Sequence, residues 1–215
     1  MSQDDVPSPI DLRRMEDARQ WEQSAMATRP WRAALFALFC DQIVAHSLPI
    51  TRVLELGSGP GFLAAHLLGR LPEISYVALD FSPAMHSLAR TRLGEALCPR
   101  VRFVERSFKE DGWWSDLGTF PCVVTNQAVH ELRHKRHAPR LHAQVSSLIE
   151  PGGCYLMCDH FAGEGGMTNN NLYMTKREHE DALTSAGFGP PQVIGMVDTL
   201  IMYRATVASD ERAGA

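Results

Sequence analysis

The sequence lacks most of the features that would take it outside ordinary globular proteins. Its 215 residues include no run of about 20 mainly apolar, charge-free positions, so no segment reads as a membrane-spanning helix. Met1 to Asp11 has neither the basic start nor the apolar stretch of a signal peptide. There is no basic surplus: 21 Lys and Arg stand against 25 Asp and Glu, a formal charge of −4, which argues against a long nucleic-acid partner. The five cysteines (Cys40, Cys98, Cys122, Cys154 and Cys158) are odd in number and form no Cys-x-x-Cys pair. Reduced thiols, a cytoplasmic setting and no disulfide scaffold are the expectation. No internal repeat or low-complexity tract occurs. What remains is 45% hydrophobic and 21% charged, enough to bury a full core in one domain.

The chain alternates strand and helix signals. Residues 1–11 are polar and contain two prolines, so a flexible leader is expected. Residues 12–47 read as a helical segment in which Pro30 opens a second helix, with Leu35, Phe39 and Ile43 at helical spacing. Strands are predicted at 51–56, 76–80, 101–104, 122–125, 154–158, 192–196 and 199–206, and helices at 62–71, 84–97, 138–148 and 176–185. Alternation of this kind implies an α/β domain over 48–207, with a mostly parallel sheet covered on both faces and a frayed tail at 208–215. The last two strands are too close for a crossover helix, so an edge strand is expected to run antiparallel.

Two consecutive strand ends carry the chemistry. The first strand ends in Gly57-x-Gly59-x-Gly61, a turn whose bare backbone admits close approach of a ligand and feeds a helix N-terminus. A dinucleotide fingerprint needs Gly-x-Gly-x-x-Gly, and the position after Gly61 is Phe62. Asp80 ends the second strand, where a carboxylate can accept hydrogen bonds from neighbouring ribose hydroxyls. Each has a plainer reading: a simple connector for the glycines, a helix cap for Asp80 or Ser82. Together they favour a nucleoside ligand.

With these residues the sequence resembles class I S-adenosylmethionine-dependent methyltransferases acting on small molecules. The resemblance covers roughly residues 50–206. It rests on Val53-Leu54-Glu55-Leu56-Gly57-Ser58-Gly59-Pro60-Gly61, on Ala78-Leu79-Asp80-Phe81-Ser82-Pro83-Ala84-Met85 and on Leu148-Ile149-Glu150-Pro151-Gly152-Gly153. It implies a Rossmann-like sheet of seven strands, mostly parallel, with helices on both faces, an antiparallel last strand and a helical N-terminal lid. It also implies S-adenosyl-L-methionine as cofactor. Gly57, Ser58, Gly59 and Gly61 would meet its methionine portion with Glu55 bracing the loop, Asp80 would hold the ribose, and Phe81 and Met85 would line the adenine side. Asn126, at the end of the fourth strand, is a further candidate contact. Where the family often has an Asp after the third strand, this chain has Ser107, followed by Phe108.

After the fourth strand comes His130-Glu131-x-x-His134, which on a helix would place two zinc ligands and a general base on one face. Chance would produce the string in about one chain in fifty of this composition. Its position at a strand end and Pro139 just beyond speak against a zinc hydrolase. No metal is expected. His130 and, after the fifth strand, His160 are candidate bases that could take a proton from an acceptor, or else structural histidines. Glu131 is expected to face solvent or cap the next helix. Trp21, Trp31 and Tyr173 are candidate walls of the acceptor pocket. The sequence thus predicts methyl transfer to an oxygen or nitrogen of a small metabolite; the alternative is a cofactor-binding protein that acts through a partner without catalysis. Membrane partners are not expected, and the oligomeric state is open.

Overall fold

The computed structural model describes residues 5–207; residues 1–4 and the expected tail at 208–215 lie outside them, as does the side chain of Met26. In chain order the elements are α1 (Met15–Ala27), α2 (Arg32–Val44), β1 (Arg52–Leu56), α3 (Phe62–Arg70), β2 (Ser75–Asp80), α4 (Pro83–Leu97), β3 (Val101–Glu105), β4 (Phe120–Asn126), α5 (Ala138–Ser146), β5 (Ile149–Ala162), β6 (Met174–Thr175), α6 (Lys176–Ser185), β7 (Gln192–Val197) and β8 (Leu200–Thr206). Seven strands form one path in the order β3-β2-β1-β4-β5-β8-β7, and the two-residue β6 pairs beside β5 off that path. Strand order reverses at β1 and β4, which opens a crevice at their C-terminal ends.

The period of two in each strand divides the core. Leu54, Leu56, Val77, Leu79 and Val123 face α5 and α6, where Leu141, Val145 and Leu183 meet them. Val53, Tyr76, Ala78, Cys122 and Val124 face the other way, against Leu35, Phe39 and Ile43 of α2 and Leu63 and Leu67 of α3. The helix α2 is therefore a core helix, and of the predicted helical segment α1, the residues before it and the α1–α2 junction at Arg29 and Arg32 lie over the crevice. Local signals set the helix starts: Ser82 caps α4 through Met85 N–H, with Pro83 in the first turn. Thr175 and Glu178 form a reciprocal capping box on α6.

Three details differ from the sequence reading. The strand predicted at 154–158 runs from Ile149 to Ala162, because Pro151-Gly152-Gly153 forms an irregularity inside the strand rather than a turn ahead of it; the pairing with β4 shifts register there. The antiparallel strand is β8, the last, but it lies between β5 and β7 and pairs antiparallel with both. The hairpin thus returns β7 to the edge in the direction of the parallel strands. The leader expected to be loose is tied down from Asp5. Val6 N–H donates to the Arg133 carbonyl at 2.8 Å, and the Arg133 guanidinium donates to the carbonyls of Val6 and Pro7. Ser82 Oγ donates to the Leu12 carbonyl at 2.5 Å, so the strap crosses the end of β2.

Candidate active site

The three glycines of the first turn all have left-handed backbone, with φ of 69°, 53° and 76° for Gly57, Gly59 and Gly61. Their surroundings separate their roles. A Cβ on Gly57 would lie 2.4 Å from the Ala128 Cβ, and one on Gly61 would lie 3.0 Å from the Ala89 Cβ. Both glycines permit close packing of protein on protein. A Cβ on Gly59 would meet nothing within 4 Å, so this is the glycine that faces open space. Ser58 is buried and its hydroxyl has no partner. Glu55 is buried within β1, where the Tyr76 hydroxyl donates to it at 2.9 Å. Burial pushes its carboxyl up to about 8, against the pull of that hydrogen bond.

Asp80 is 5% exposed at the end of β2. Its two oxygens accept from Gly59 N–H at 2.8 Å and Ser82 N–H at 2.9 Å, which fastens the glycine turn to the second strand end. Burial raises its pKa to about 6, and the backbone donors hold it from rising further. Each carboxylate oxygen accepts more than one hydrogen bond, so Asp80 retains capacity for hydroxyl donors.

These groups border a cavity of about 130 Å³. Gly57, Gly59, Asp80, Phe81, Met85 and Phe108 line it, and so do Arg29, Arg32, Asn126, Gln127, His130 and His160. Trp21 closes it from α1 and Glu131 borders it as well. An open groove of about 830 Å³ continues from it under the strap and takes in Ser107, Phe108 and Lys109. Ser107 accepts from Lys109 N–H at 3.2 Å, so its hydroxyl shapes its own turn while facing the groove. Arg13 lies 4.6 Å above the Phe81 ring. Met85 is buried against Ala18, with Trp21 beside it. Trp31 caps α2 and packs on the core, away from the cavity, while its neighbour Arg32 enters it. Tyr173 lies behind the cavity, with its ring 5.5 Å from that of His130 and 5.7 Å from that of His160.

The two histidines are brought together, their rings 5.5 Å apart, but neither offers a free nitrogen. His130 Nδ1 lies 2.6 Å from Asp159 Oδ1, its backbone N–H donates to Asp159 Oδ2, and its Nε2 lies 3.3 Å from Glu131 Oε1. A ring with a carboxylate at each nitrogen donates from both and is an imidazolium. Burial alone would lower its pKa, but Asp159 and then Glu131 outweigh burial and raise it to about 10. Glu131 therefore faces the site, joined to His130 and Arg133, rather than solvent. His160 is fixed by a chain of logic from Arg32. A guanidinium only donates, so the Gln127 oxygen that meets Arg32 Nη2 at 2.9 Å is an acceptor. The Gln127 amide nitrogen then donates to His160 Nε2 at 3.1 Å, and His160 Nδ1–H donates to Thr199 Oγ1 at 2.7 Å. Burial lowers His160 to about 4, partly opposed by Asp159, so the ring is neutral with its lone pair engaged.

The zinc string does not form the helix it requires. Val129–Leu132 is a single 3₁₀ turn, Arg133 has φ of 68°, and His134 is extended, so the two histidines do not share a helix face. Among the described residues no group of His, Cys, Asp and Glu is placed to hold a metal. The sulfurs of Cys122 and Cys154 lie 3.8 Å apart on neighbouring strands, both fully buried.

Sequence reasoning missed Arg29, Arg32, Gln127 and Asp159. Asp159 was signalled by its place beside His160 at the end of a strand. Arg32 and Arg29 were not, since arginine in a helical leader reads as solvated. Gln127 has φ of 58°, a strained backbone that no residue pattern announces.

Residues 53–153 match the family model described as a methyltransferase domain. The chain is 28% identical over 151 residues to malonyl-[acyl-carrier protein] O-methyltransferase of Paenibacillus sp. (strain JDR-2), covering 64% of this chain and 55% of that protein. It is 31% identical over 105 residues to trans-aconitate 2-methyltransferase of Deinococcus radiodurans, covering 49% and 36%. The chain thus spans about half, or less, of the length of these curated relatives. Its fold is shared with human N-acetylserotonin methyltransferase, solved in complex with SAM, at a TM-score of 0.70 and 18% identity over 92% of this chain and 58% of that one.

Proposed function

We propose that the chain, whose residues 53–153 match a methyltransferase domain, is a class I S-adenosylmethionine-dependent methyltransferase and transfers a methyl group from S-adenosylmethionine to an oxygen or nitrogen of a small metabolite. One observation carries this reading: a single cavity joins an acid at a strand end, an open glycine and a buried acceptor without a partner, Asn126 Oδ1, of the kind a bound ligand satisfies. They fit a nucleoside bearing an amino-acid tail. Asp80 would take the ribose hydroxyls, Phe81, Met85, Ser107 and Phe108 would surround the base, and Gly59 with Asn126 would receive the tail.

When bound, S-adenosylmethionine supplies a methyl carbon on a sulfonium, open to in-line displacement. The protein's own contribution is position and electrostatics. Trp21 and the strap cover the cavity from above, the β4 and β5 ends would seat the acceptor, and the Asp159–His130–Glu131 series fixes a cation at its side. Catalysis by alignment of two bound reactants suits such a site. The two relatives' names, malonyl and trans-aconitate, are those of carboxylic acids, which favours oxygen as the acceptor atom.

The test is calorimetry with S-adenosylhomocysteine on the wild type and on Asp80→Asn, together with labelled donor and a metabolite extract. The wild type should bind, Asp80→Asn should bind about tenfold or more weakly, and labelled product should exceed the protein-free control. Equal affinities would refute the ribose role of Asp80, and absence of any binding would refute the reading.

A further inference from the structure

Arg133 joins two parts of the molecule that are far apart in the chain. It is buried, and its backbone is left-handed at φ of 68°, a conformation that a residue with so large a side chain takes only where its surroundings impose it. On one side it holds the strap. Its carbonyl accepts from Val6 N–H at 2.8 Å, and its Nε and Nη2 donate to the carbonyls of Val6 at 2.9 Å and Pro7 at 2.6 Å. On the other side its Nη1 donates to Glu131 Oε2 at 3.4 Å. The second oxygen of that carboxylate lies 3.3 Å from His130 Nε2. An unbroken series thus runs from the strap through Arg133 and Glu131 to His130 and Asp159.

Glu131 is the weak member of this series. Both of its contacts are long, and its side chain is 37% exposed. Water is an alternative partner, so Glu131 keeps its place against His130 only while Arg133 is fixed. Arg133 in turn is fixed by the strap. If the strap lifts, two of the three guanidinium nitrogens lose their carbonyls, and a buried guanidinium with unmet donors moves toward solvent. Glu131 then loses the cation that held it. His130 would still face Asp159 and His160 of β5 and the ring of Tyr173, so it loses one carboxylate and keeps the other. The open groove is lined by Ser8 to Arg14 of the strap and by Glu131 and Arg133, so a ligand that fills it meets the strap and its tie together.

We propose that Arg133 is a positioning residue that couples the strap to the charge series of the site: it holds Glu131 against the His130 ring while the strap is seated and releases it when the strap lifts. The place of this coupling in catalysis rests on the methyl-transfer reading above. The full series then exists only when the groove is covered, and by linkage whatever seats the strap strengthens the hold on the His130 proton.

The test is NMR titration of the His130 ring in the full chain, free and with S-adenosylhomocysteine. Val6→Pro removes the N–H that meets the Arg133 carbonyl and sets a ring carbon in its place. Val6 lies outside every helix and strand, so this variant keeps the test alive if Arg133→Gln fails to fold. Both variants should lower the His130 midpoint by about 0.5 to 1 pH unit. Glu131→Gln should lower it by a similar amount, and Val6→Pro added to Glu131→Gln should lower it no further. With S-adenosylhomocysteine bound, the gap between wild type and Val6→Pro should narrow. The proposal is overturned if Val6→Pro leaves the midpoint unchanged, if its effect persists in full beside Glu131→Gln, or if the bound ligand leaves the gap as wide. A lower melting temperature with an unmoved midpoint would make Arg133 a structural tie alone, which also overturns it. Failure of S-adenosylhomocysteine to bind the wild type would instead sink the methyl-transfer reading, while titration of the free protein would still decide the coupling.

Discussion

Replacing Asp159 by Asn tests the electrostatic frame of the site, because it keeps the side-chain shape and removes one charge. Asp159 is 1% exposed and receives His130 Nδ1, His130 N–H and His160 N–H on its two oxygens. An amide in its place still offers one oxygen to a backbone donor but no charge to the imidazolium. Burial then dominates His130, and its pKa should fall from about 10 to near or below its ordinary 6.5. The remaining carboxylate, Glu131, is 37% exposed and 3.3 Å away, too screened to replace Asp159. Breaking a buried pair costs about 3–5 kcal/mol, a large share of the 5–15 kcal/mol that holds a domain together. The pH dependence follows from the two shifts. His130 is raised, so its stabilisation is full below about pH 6.5 and fades as pH climbs through about 10. Asp159 is held down to about 2, so its share is full above about pH 4 and fades as pH falls through about 2. His160 and His179, which also face Asp159, have pKa values lowered by burial, that of His160 to about 4. Urea unfolding should therefore show the largest gap between wild type and Asp159→Asn at pH 5–6.5 and a shrinking gap by pH 9–10. In the wild type, the His130 ring protons should not titrate in NMR between pH 5 and 8. A His130 midpoint within that range, or a loss below about 1 kcal/mol at pH 6 against the expected cost, would refute the reasoning.

Two further predictions need less space. Gly57→Ala should impair folding, since its Cβ would strike Ala128 at 2.4 Å; Gly59→Ala, with open space around it, should cost only the left-handed strain of about 1–2 kcal/mol and lose S-adenosylhomocysteine affinity instead. Thermal unfolding beside calorimetry separates the two, and the reverse pattern would reject the division of roles. In native protein a maleimide should label Cys98, which is partly exposed, and spare the other four thiols, which are buried; mass spectrometry of the peptides counts them, and rapid labelling of Cys122 or Cys154 would contradict the packing.

What could be read in advance was set by local backbone needs. The run from Val53 to Gly61 combines a strand buried on both faces with a turn of three left-handed residues, and few other structures accept that pattern. Asp80 is legible for the same reason, as a charge ending a buried strand. Arg32 was not legible, because its burial depends on Trp21 and Phe62 closing around it from distant parts of the chain. Trp31 misled by one position: on a helix start, adjacent residues point to different sides, so the tryptophan packs on the core while the arginine enters the cavity. Glu131 and the leader misled together. Arg133 draws both the strap and Glu131 inward, an arrangement created by long-range hydrogen bonds and invisible to any window of sequence.

The charges around the cavity are unevenly answered. Asp80 is its acid at the β2 end. Toward β5, the imidazolium of His130 is answered by Asp159 and Glu131, so that series carries its own compensation. Among the described residues Arg29 and Arg32 have no such answer, so a bound anion beside them would offset a charge that the protein itself leaves uncompensated. The rings of His130 and His160 are each engaged at both nitrogens, so on the methyl-transfer reading proposed above their contribution is placement and charge, and alignment of the two reactants supplies the rest.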